Sequence, residues 1–194
     1  MAELKEQNIV DFYNTIQVRD FARLFQFRLE SFPGVDPGSL IYVESLSLPG
    51  RSIHNIPVPF MGLQFNVPGT AHYPGSDAWT VTFRCDDTYN LRQAFEDATA
   101  TTFNDMTSRG NYKIPGPENK LILNLIDHNF KRIRQYWFYG CYIVSMGDVS
   151  YDIGDTGNIV KIPVTLAYQY WRIGIGSSQL KESGGAAAAA AAGG

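Results

Sequence analysis

Ala78-Trp79-Thr80-Val81-Thr82-Phe83-Arg84 carries the clearest strand pattern in the chain. Large apolar residues alternate with polar ones, which is typical of a strand with one buried face. Asp86-Asp87-Thr88 follows and can cap a helix, which we expect over residues 89–103. The apolar stripe of that helix consists of Leu91, Phe95, Ala98 and Thr102. A helix directly after such a strand indicates a sheet that is covered on one face.

Strand patterns also occur upstream of this stretch. Alternation over residues 24–30 places Phe25, Phe27 and Leu29 on one predicted buried face. A second strand is predicted over residues 41–48, and the Pro49-Gly50 turn that follows ends it.

The last third of the chain is also rich in strands. We expect strands over residues 121–126 and 130–144, joined by a hairpin turn at 127–129, and a final strand over 162–171. Gly140 indicates a bulge or a close backbone approach. These patterns predict a mainly β (α+β) fold, an antiparallel β-sandwich or partial barrel of about 6–8 strands with one flanking helix.

Residues 51–77 form a segment in which four prolines interrupt an extended pattern. Prolines are rare in the middle of a sheet. Leu63, Phe65 and Val67 alternate with polar residues, as in an edge strand or an extended hairpin. We interpret the segment as a projecting loop that packs on another copy, because apolar residues on an irregular segment usually need a partner surface. The alternative is a loop folded back on its own domain.

Domain boundaries follow from changes in composition. Residues 1–19 form a predicted arm with a short amphipathic helix, which packs either on its own domain or on a neighbouring subunit. Residues 20–173 form the β domain. Residues 174–194 form a low-complexity tail with seven consecutive alanines, to which no function is assigned.

Composition excludes several classes of protein. The 194 residues are 44 % hydrophobic and 18 % charged, which is typical of a globular domain. No apolar run is long enough to span a membrane, so no membrane insertion is expected, and no secretory signal is visible. The net charge of −3 disfavours tight nucleic-acid binding. The two cysteines, Cys85 and Cys141, are predicted to be free buried thiols rather than a disulfide.

Catalytic and cofactor motifs are absent from the sequence. There is no nucleophile elbow, phosphate-binding glycine loop, zinc motif or Cys-x-x-Cys pair. Asp86 and Asp87 are adjacent before the predicted helix, where they act as caps rather than as paired catalytic carboxylates. We therefore predict no enzyme, no metal and no cofactor.

Several sequence fragments occur in an order that resembles a known family. They are Asp20-Phe21-Ala22-Arg23 leading into Leu24-Phe25-Gln26-Phe27, Leu48-Pro49-Gly50, Ile56-Pro57-Val58-Pro59-Phe60-Met61, Asp77-Ala78-Trp79-Thr80-Val81-Thr82, Leu91-Arg92-Gln93-Ala94-Phe95, Gly140-Cys141 and the run from Val164 to Trp171. Together they resemble the tail tube protein family of contractile-tailed bacteriophages, which is related to the baseplate tail-tube initiator.

The resemblance implies a structural protein of the virion tail, assembled in the host cytoplasm. Hexameric rings would stack into an inner tube, surrounded by the sheath protein, through which genome DNA passes without specific binding. The other implied partners are the baseplate initiator, the tape measure protein and the tail terminator. Alternatives are the initiator itself, the inner tube of a contractile injection system, and a monomeric small-molecule-binding β-barrel.

Candidate assembly residues follow from this picture. The anchors expected in the projecting loop are Phe60, Met61, Leu63, Phe65 and Tyr73. Six copies at −3 carry −18 per ring, which would repel phosphates if the lumen shared that sign. The acidic residues considered for the lumen are Glu30, Glu44, Asp127 and Asp148.

Overall fold

Two four-stranded antiparallel sheets dominate the computed structural model, which describes residues 8–18 and 21–174. In chain order the elements are α1 (Ile9–Val18), β1 (Phe27–Ser31), a 3₁₀ helix (Pro37–Tyr42), β2 (Val43–Leu46), β3 (Ser52–Phe60), β4 (Leu63–His72), β5 (Trp79–Arg84), α2 (Asn90–Thr102), β6 (Phe103–Asn104), β7 (Arg109–Gly110), β8 (Lys120–Ile126), β9 (Arg132–Tyr139), β10 (Tyr142–Met146), β11 (Lys161–Ala167) and β12 (Tyr170–Ile173).

The first sheet has the strand order β1-β8-β9-β12 and the second has the order β10-β11-β5-β2. A separate hairpin pairs β3 with β4, and a short ribbon pairs β6 with β7. The predicted mainly β, antiparallel fold is confirmed. The two main sheets contain eight strands, and the hairpin and ribbon add four more that the sequence patterns did not separate.

The core lies between the two sheets. Trp79, Val81 and Phe83 of β5 are buried, as their alternation predicts. Trp79 stacks on Phe138 of β9 with 4.5 Å between ring centroids, so aromatic packing joins the sheets directly.

Helix α2 packs against this core through its first two turns. Leu91 and Phe95 are buried, and the Phe95 ring lies 5.1 Å from that of Phe83. Ala98 is half-buried, but Thr102 is exposed, so the predicted apolar stripe is wrong at its last position. The stripe ends there because α2 ends at Thr102 and the chain turns into the short ribbon.

Two predicted long strands are each divided between the sheets. The run over 130–144 leaves the first sheet after Tyr139 and enters the second at Tyr142. The run over 162–171 makes the reverse crossing between Ala167 and Tyr170. The prediction of two continuous strands was wrong. It arose because the alternation of apolar and polar residues continues through both crossings. Gly140, at one crossing, has a φ of +64°.

Two strand starts also differ from expectation. Phe25 is 74 % exposed, because a turn closed by the Gln26 N–H donating to the Arg23 carbonyl precedes β1. Ile41 lies in the 3₁₀ helix and is 81 % exposed, because Pro37 starts that helix and the Asp36 carboxylate caps it. The predicted buried position of Phe25 and the predicted start of the second strand at Ile41 are therefore wrong.

Helix α1 matches the short helix predicted in the N-terminal arm, and most of its apolar side chains are exposed. Residues 1–7 and 19–20 of the predicted arm and residues 175–194 of the predicted tail lie outside the described residues. No helix in the part of the chain that the structure describes is long and apolar enough to cross a lipid bilayer.

Candidate assembly surface

The segment predicted as a projecting loop is a regular β-hairpin of β3 and β4. Met61 and Gly62 form its tip with φ angles of +48° and +81°. Two consecutive positive φ angles are typical of the tight two-residue turns that match strand twist. The segment is therefore an ordered hairpin between β2 and β5, which are themselves neighbours in the second sheet.

The hairpin has one apolar face. Directly opposed residues of an antiparallel pair lie on the same face. The register therefore places on one face Ile56 opposite Val67, Val58 opposite Phe65, and Phe60 opposite Leu63. These six side chains are between 43 % and 65 % exposed. The hairpin thus carries a continuous exposed apolar surface, which we call the apolar hairpin face.

The opposite face of the hairpin is made of prolines and amides. Its paired residues are Asn55 with Pro68, Pro57 with Asn66, and Pro59 with Gln64. Proline has no backbone N–H, so Pro57 and Pro59 remove two hydrogen-bond donors from β3. The prolines therefore disfavour addition of another strand to this edge, and contact through the apolar hairpin face remains available.

Four of the five predicted anchor residues lie at the outer half of the hairpin. Phe60, Leu63 and Phe65 belong to the apolar hairpin face, and Met61 at the tip is 89 % exposed. Tyr73 is different, because it is half-buried at the hairpin base with ring centroids 6.4 Å from Tyr168 and 6.1 Å from Trp171. Tyr73 thus packs within its own subunit, and part of its side chain stays exposed.

Three further residues of the apolar hairpin face, Ile56, Val58 and Val67, were not predicted as anchors. Their signal was present, since Ile56, Val58 and Phe60 alternate with Pro57 and Pro59. The prolines masked it, because they favour interpretation as an irregular loop.

The predicted lumen carboxylates do not form one cluster. Glu30 lies on the outer surface of the first sheet, where its Oε2 accepts hydrogen bonds from the amide nitrogens of Asn124 at 2.7 Å and Gln135 at 2.9 Å. Glu44 lies on the outer surface of the second sheet, 2.6 Å from Lys161 Nζ and 4.0 Å from Arg84 Nε. One wall of a bore cannot contain both carboxylates.

The other two candidates lie in turns. Asp127 accepts the backbone N–H groups of Asn129 and Lys131, and the bond from Lys131 is the main cause that holds its carboxyl pKa below the ordinary value. Its arrangement fits a turn-stabilising role. Asp148 is exposed at the start of the loop between β10 and β11.

Neither thiol forms a disulfide. Cys85 is half-buried and Cys141 is buried. Among the described residues no group of three or more His, Cys, Asp or Glu side chains is arranged to hold a metal ion. Asp86 acts as the predicted helix cap, because its carboxylate accepts the backbone N–H groups of Asn90 and Leu91 at the start of α2, each at 3.1 Å.

No family model matches the sequence, and no curated protein matches it. Solved structures share the fold over most of the chain. A chain in the cryo-EM structure of the anti-feeding prophage cap, the tube terminating cap, is 13 % identical with a TM-score of 0.59, and the match covers 91 % of this chain and 100 % of that chain.

Two structures of an extracellular contractile injection system called PVC are also similar. A chain of its sheath/tube terminator in the extended state is 13 % identical with a TM-score of 0.56, covering 81 % of this chain and 99 % of that chain. A chain of its extended sheath-tube complex is 15 % identical with a TM-score of 0.55, and the match covers 83 % of this chain and 96 % of that chain. The likeness to the tail tube family is thus confirmed in three dimensions: the chain has the fold found in tube, cap and terminator structures of contractile injection systems.

Proposed function

We propose that the protein is a structural subunit of the inner tube of a contractile phage tail or contractile injection system. The observation that carries this proposal is the apolar hairpin face, which projects from a body with the fold of tube and cap structures. In this function the protein catalyses no reaction and acts by assembling with copies of itself.

The hairpin is the main contact between copies. An isolated two-stranded hairpin is at best marginally stable in water, and large exposed apolar patches usually mark interaction sites. Packing of Phe60, Leu63 and Phe65 on a neighbouring copy removes this apolar surface from water. The same contact holds the hairpin in one position.

The main sheets are suited to ring closure. Each has four antiparallel strands, so its two edge strands run in opposite directions. A neighbour in the same orientation therefore meets each edge with an antiparallel strand, and the sheet continues around a ring. Six copies with four strands each give 24 strands, a circumference of roughly 160 Å and a backbone diameter of about 50 Å.

The second sheet is the better wall for the bore. The outward residues of its inner strands include Thr80, Thr82 and Thr165, which are short and uncharged. The corresponding surface of the first sheet carries bulky Trp137 and Tyr139. Short side chains leave a wider and smoother passage.

Charge on that wall is nearly balanced. The only charged residues in the four strands of the second sheet are Glu44, Arg84 and Lys161, and they lie together. Passage of DNA without specific binding then rests on the absence of a continuous basic surface rather than on the repulsion expected from the net charge. The proposed outer partners are the sheath protein and, at the tube ends, the initiator, tape measure and terminator proteins.

A tube-ending cap is the second candidate function. It is favoured by the match to the tube terminating cap structure, which covers all of that chain. A tube subunit polymerises into long tubes, whereas a cap forms single rings that stop growth. Negative-stain images of the purified protein distinguish these two products.

Replacement of Phe60 by Asp tests the proposed contact. We expect Phe60→Asp to remain folded and monomeric in solution and to block assembly, because it places a charge in the apolar hairpin face. Gln64→Asp is the matched control, since Gln64 lies on the opposite face of the same hairpin. Normal tubes or rings from Phe60→Asp would overturn the assignment of this face as the contact.

A further inference from the structure

A groove lies at the base of the hairpin beside edge strand β12. Its lining consists of Arg51, Tyr73, Tyr170, Trp171, Arg172 and Ile173, and its volume is about 590 Å³. Two guanidinium groups and three aromatic rings thus line one open surface, which we call the arginine groove.

The two arginines of this groove have no carboxylate partner among the described residues. Within residues 8–18 and 21–174, no carboxylate lies within 4.0 Å of Arg51 or Arg172, in contrast to Arg84, Arg92 and Arg132. The Arg172 guanidinium instead lies over the Tyr170 ring, 5.5 Å from its centroid. A guanidinium on an aromatic ring keeps its N–H donors free for an anion.

The loop between β10 and β11 has the opposite character. Residues 147–158 contain Asp148, Asp152 and Asp155 and no basic residue. Tyr151 and Ile153 in the same loop are highly exposed. The loop therefore offers both carboxylates and apolar side chains to a partner.

The arginine groove and this acidic loop lie at opposite ends of the second sheet. The hairpin base meets that sheet at Trp79, which pairs with Leu166, and the Tyr168 N–H donates to the Ser76 carbonyl at this end. The acidic loop enters β11 at Lys161, which pairs with Arg84. At about 3.3 Å per residue, the seven residues of β11 separate the ends by roughly 20 Å. The loop is thus too distant to fill the groove of its own subunit.

We propose that the arginine groove of one copy receives the acidic loop, residues 148–155, of a second copy. The inference rests on the proposed self-assembly and adds a second contact to it. Because groove and loop are different surfaces, the contact is head-to-tail and propagates from copy to copy. Arg51 and Arg172 pair with carboxylates of the loop, while Tyr73 and Tyr170 pack against its exposed apolar side chains.

Charge reversal on both surfaces tests the pairing. The groove variant is Arg51→Glu/Arg172→Glu, and the loop variant is Asp148→Lys/Asp152→Lys. Each alone places like charges across the contact, and we expect the protein concentration at half-maximal assembly to rise at least about tenfold. In an equimolar mixture, copies of the two variants that alternate have opposite charges at every contact, so we expect the mixture to assemble near the wild-type concentration. Light scattering and negative-stain images measure the assembly of the separate variants and of their mixture.

Two controls separate the contact from folding effects. Asp152 Oδ1 accepts the Gly154 N–H, so Asp152→Asn tests the loop turn without a positive charge. Lys113→Glu reverses a charge outside the groove and is expected to assemble as the wild type does. Thermal unfolding verifies that each variant is folded.

The outcomes distinguish this inference from the proposed function. The groove pairing is wrong if wild type and both charge variants assemble at the same concentration. It is also wrong if the mixture does not regain assembly near the wild-type concentration. In both cases the proposed self-assembly is unaffected. If wild-type protein stays monomeric at every concentration, both proposals are overturned.

Discussion

Gly140 lies directly against Gln169 where the two connections between the main sheets cross. The Gln169 N–H donates to the Tyr139 carbonyl at 2.9 Å, and a Cβ atom on Gly140 would lie 2.7 Å from Gln169 Cγ. The φ of +64° at Gly140 is also unfavourable for residues with a side chain. The crossing that joins the two layers of the sandwich therefore depends on a glycine at this position.

Gly140→Ala tests the importance of this crossing. We expect a loss of about 1–3 kcal/mol in the free energy of unfolding, from the left-handed backbone and from crowding against Gln169. Urea denaturation measures the loss. Gly62→Ala is the control, since Gly62 also has a positive φ but no atom within 4 Å of the added Cβ. Equal losses in the two variants would show that close packing at the crossing contributes nothing.

Asp86 is expected to stabilise the start of α2. Its carboxylate accepts the N–H groups of Asn90 and Leu91, and the Thr88 hydroxyl donates to it. Asp86→Ala should therefore lower the free energy of unfolding by about 1 kcal/mol at pH 7. These hydrogen bonds hold the pKa of Asp86 below its ordinary value of 3.8, and the bond from Thr88 has the largest effect.

The stabilisation by Asp86 is therefore present above pH 3.8 and is lost as the pH falls through the lower pKa of the folded state. The difference in the free energy of unfolding between wild type and Asp86→Ala should therefore become smaller in that pH range. Asp87→Ala is the neighbouring control. Equal stability of Asp86→Ala and wild type at pH 7 would contradict the capping role.

Replacement of the hairpin should separate folding from assembly. Ser52 and His72 are directly paired, so an Asn-Gly turn in place of residues 53–71 can close the two strands above the base. We expect a cooperatively folded monomer, because the side chains of the apolar hairpin face are exposed in the single subunit. Size-exclusion chromatography with light scattering gives its mass, and tubes formed by this variant would refute the role of the hairpin.

The thiol of Cys141 should make stability decrease at alkaline pH. Burial raises its pKa from 9.0 to about 12. Between these values the unfolded chain loses a proton that the folded chain keeps, so the free energy of unfolding should fall by up to about 1.4 kcal/mol per pH unit. Denaturation from pH 8 to 11 measures this slope. The slope of the free energy of unfolding against pH should be smaller in Cys141→Ala than in the control variant Cys85→Ser. The same slope in both variants would contradict the proposal that the Cys141 thiol causes this pH dependence.

Local patterns in the sequence predicted local structure well. The alternation of Trp79, Val81 and Phe83 predicted a half-buried strand, and Asp86 before Leu91 and Phe95 predicted the start of a helix. These features depend on neighbours in the chain, so residue spacing reports them directly.

Non-local features were not predictable in the same way. The alternation through Gly140 and through Tyr168-Gln169 continues while the chain changes sheets, since residues on both sides of each crossing face one core. The contacts of Tyr73 with Tyr168 and Trp171 could not be predicted, because they join residues about a hundred positions apart in the chain. The apolar hairpin face became clear only from the register of β3 and β4.

Cryo-EM imaging of the purified protein over a range of concentrations tests the central proposal most directly. Self-assembly through open sheets and the apolar hairpin face predicts hollow rings or tubes whose bore, for six copies, is about 40 Å wide. Monomers at all concentrations, or compact particles without a bore, would contradict the proposal.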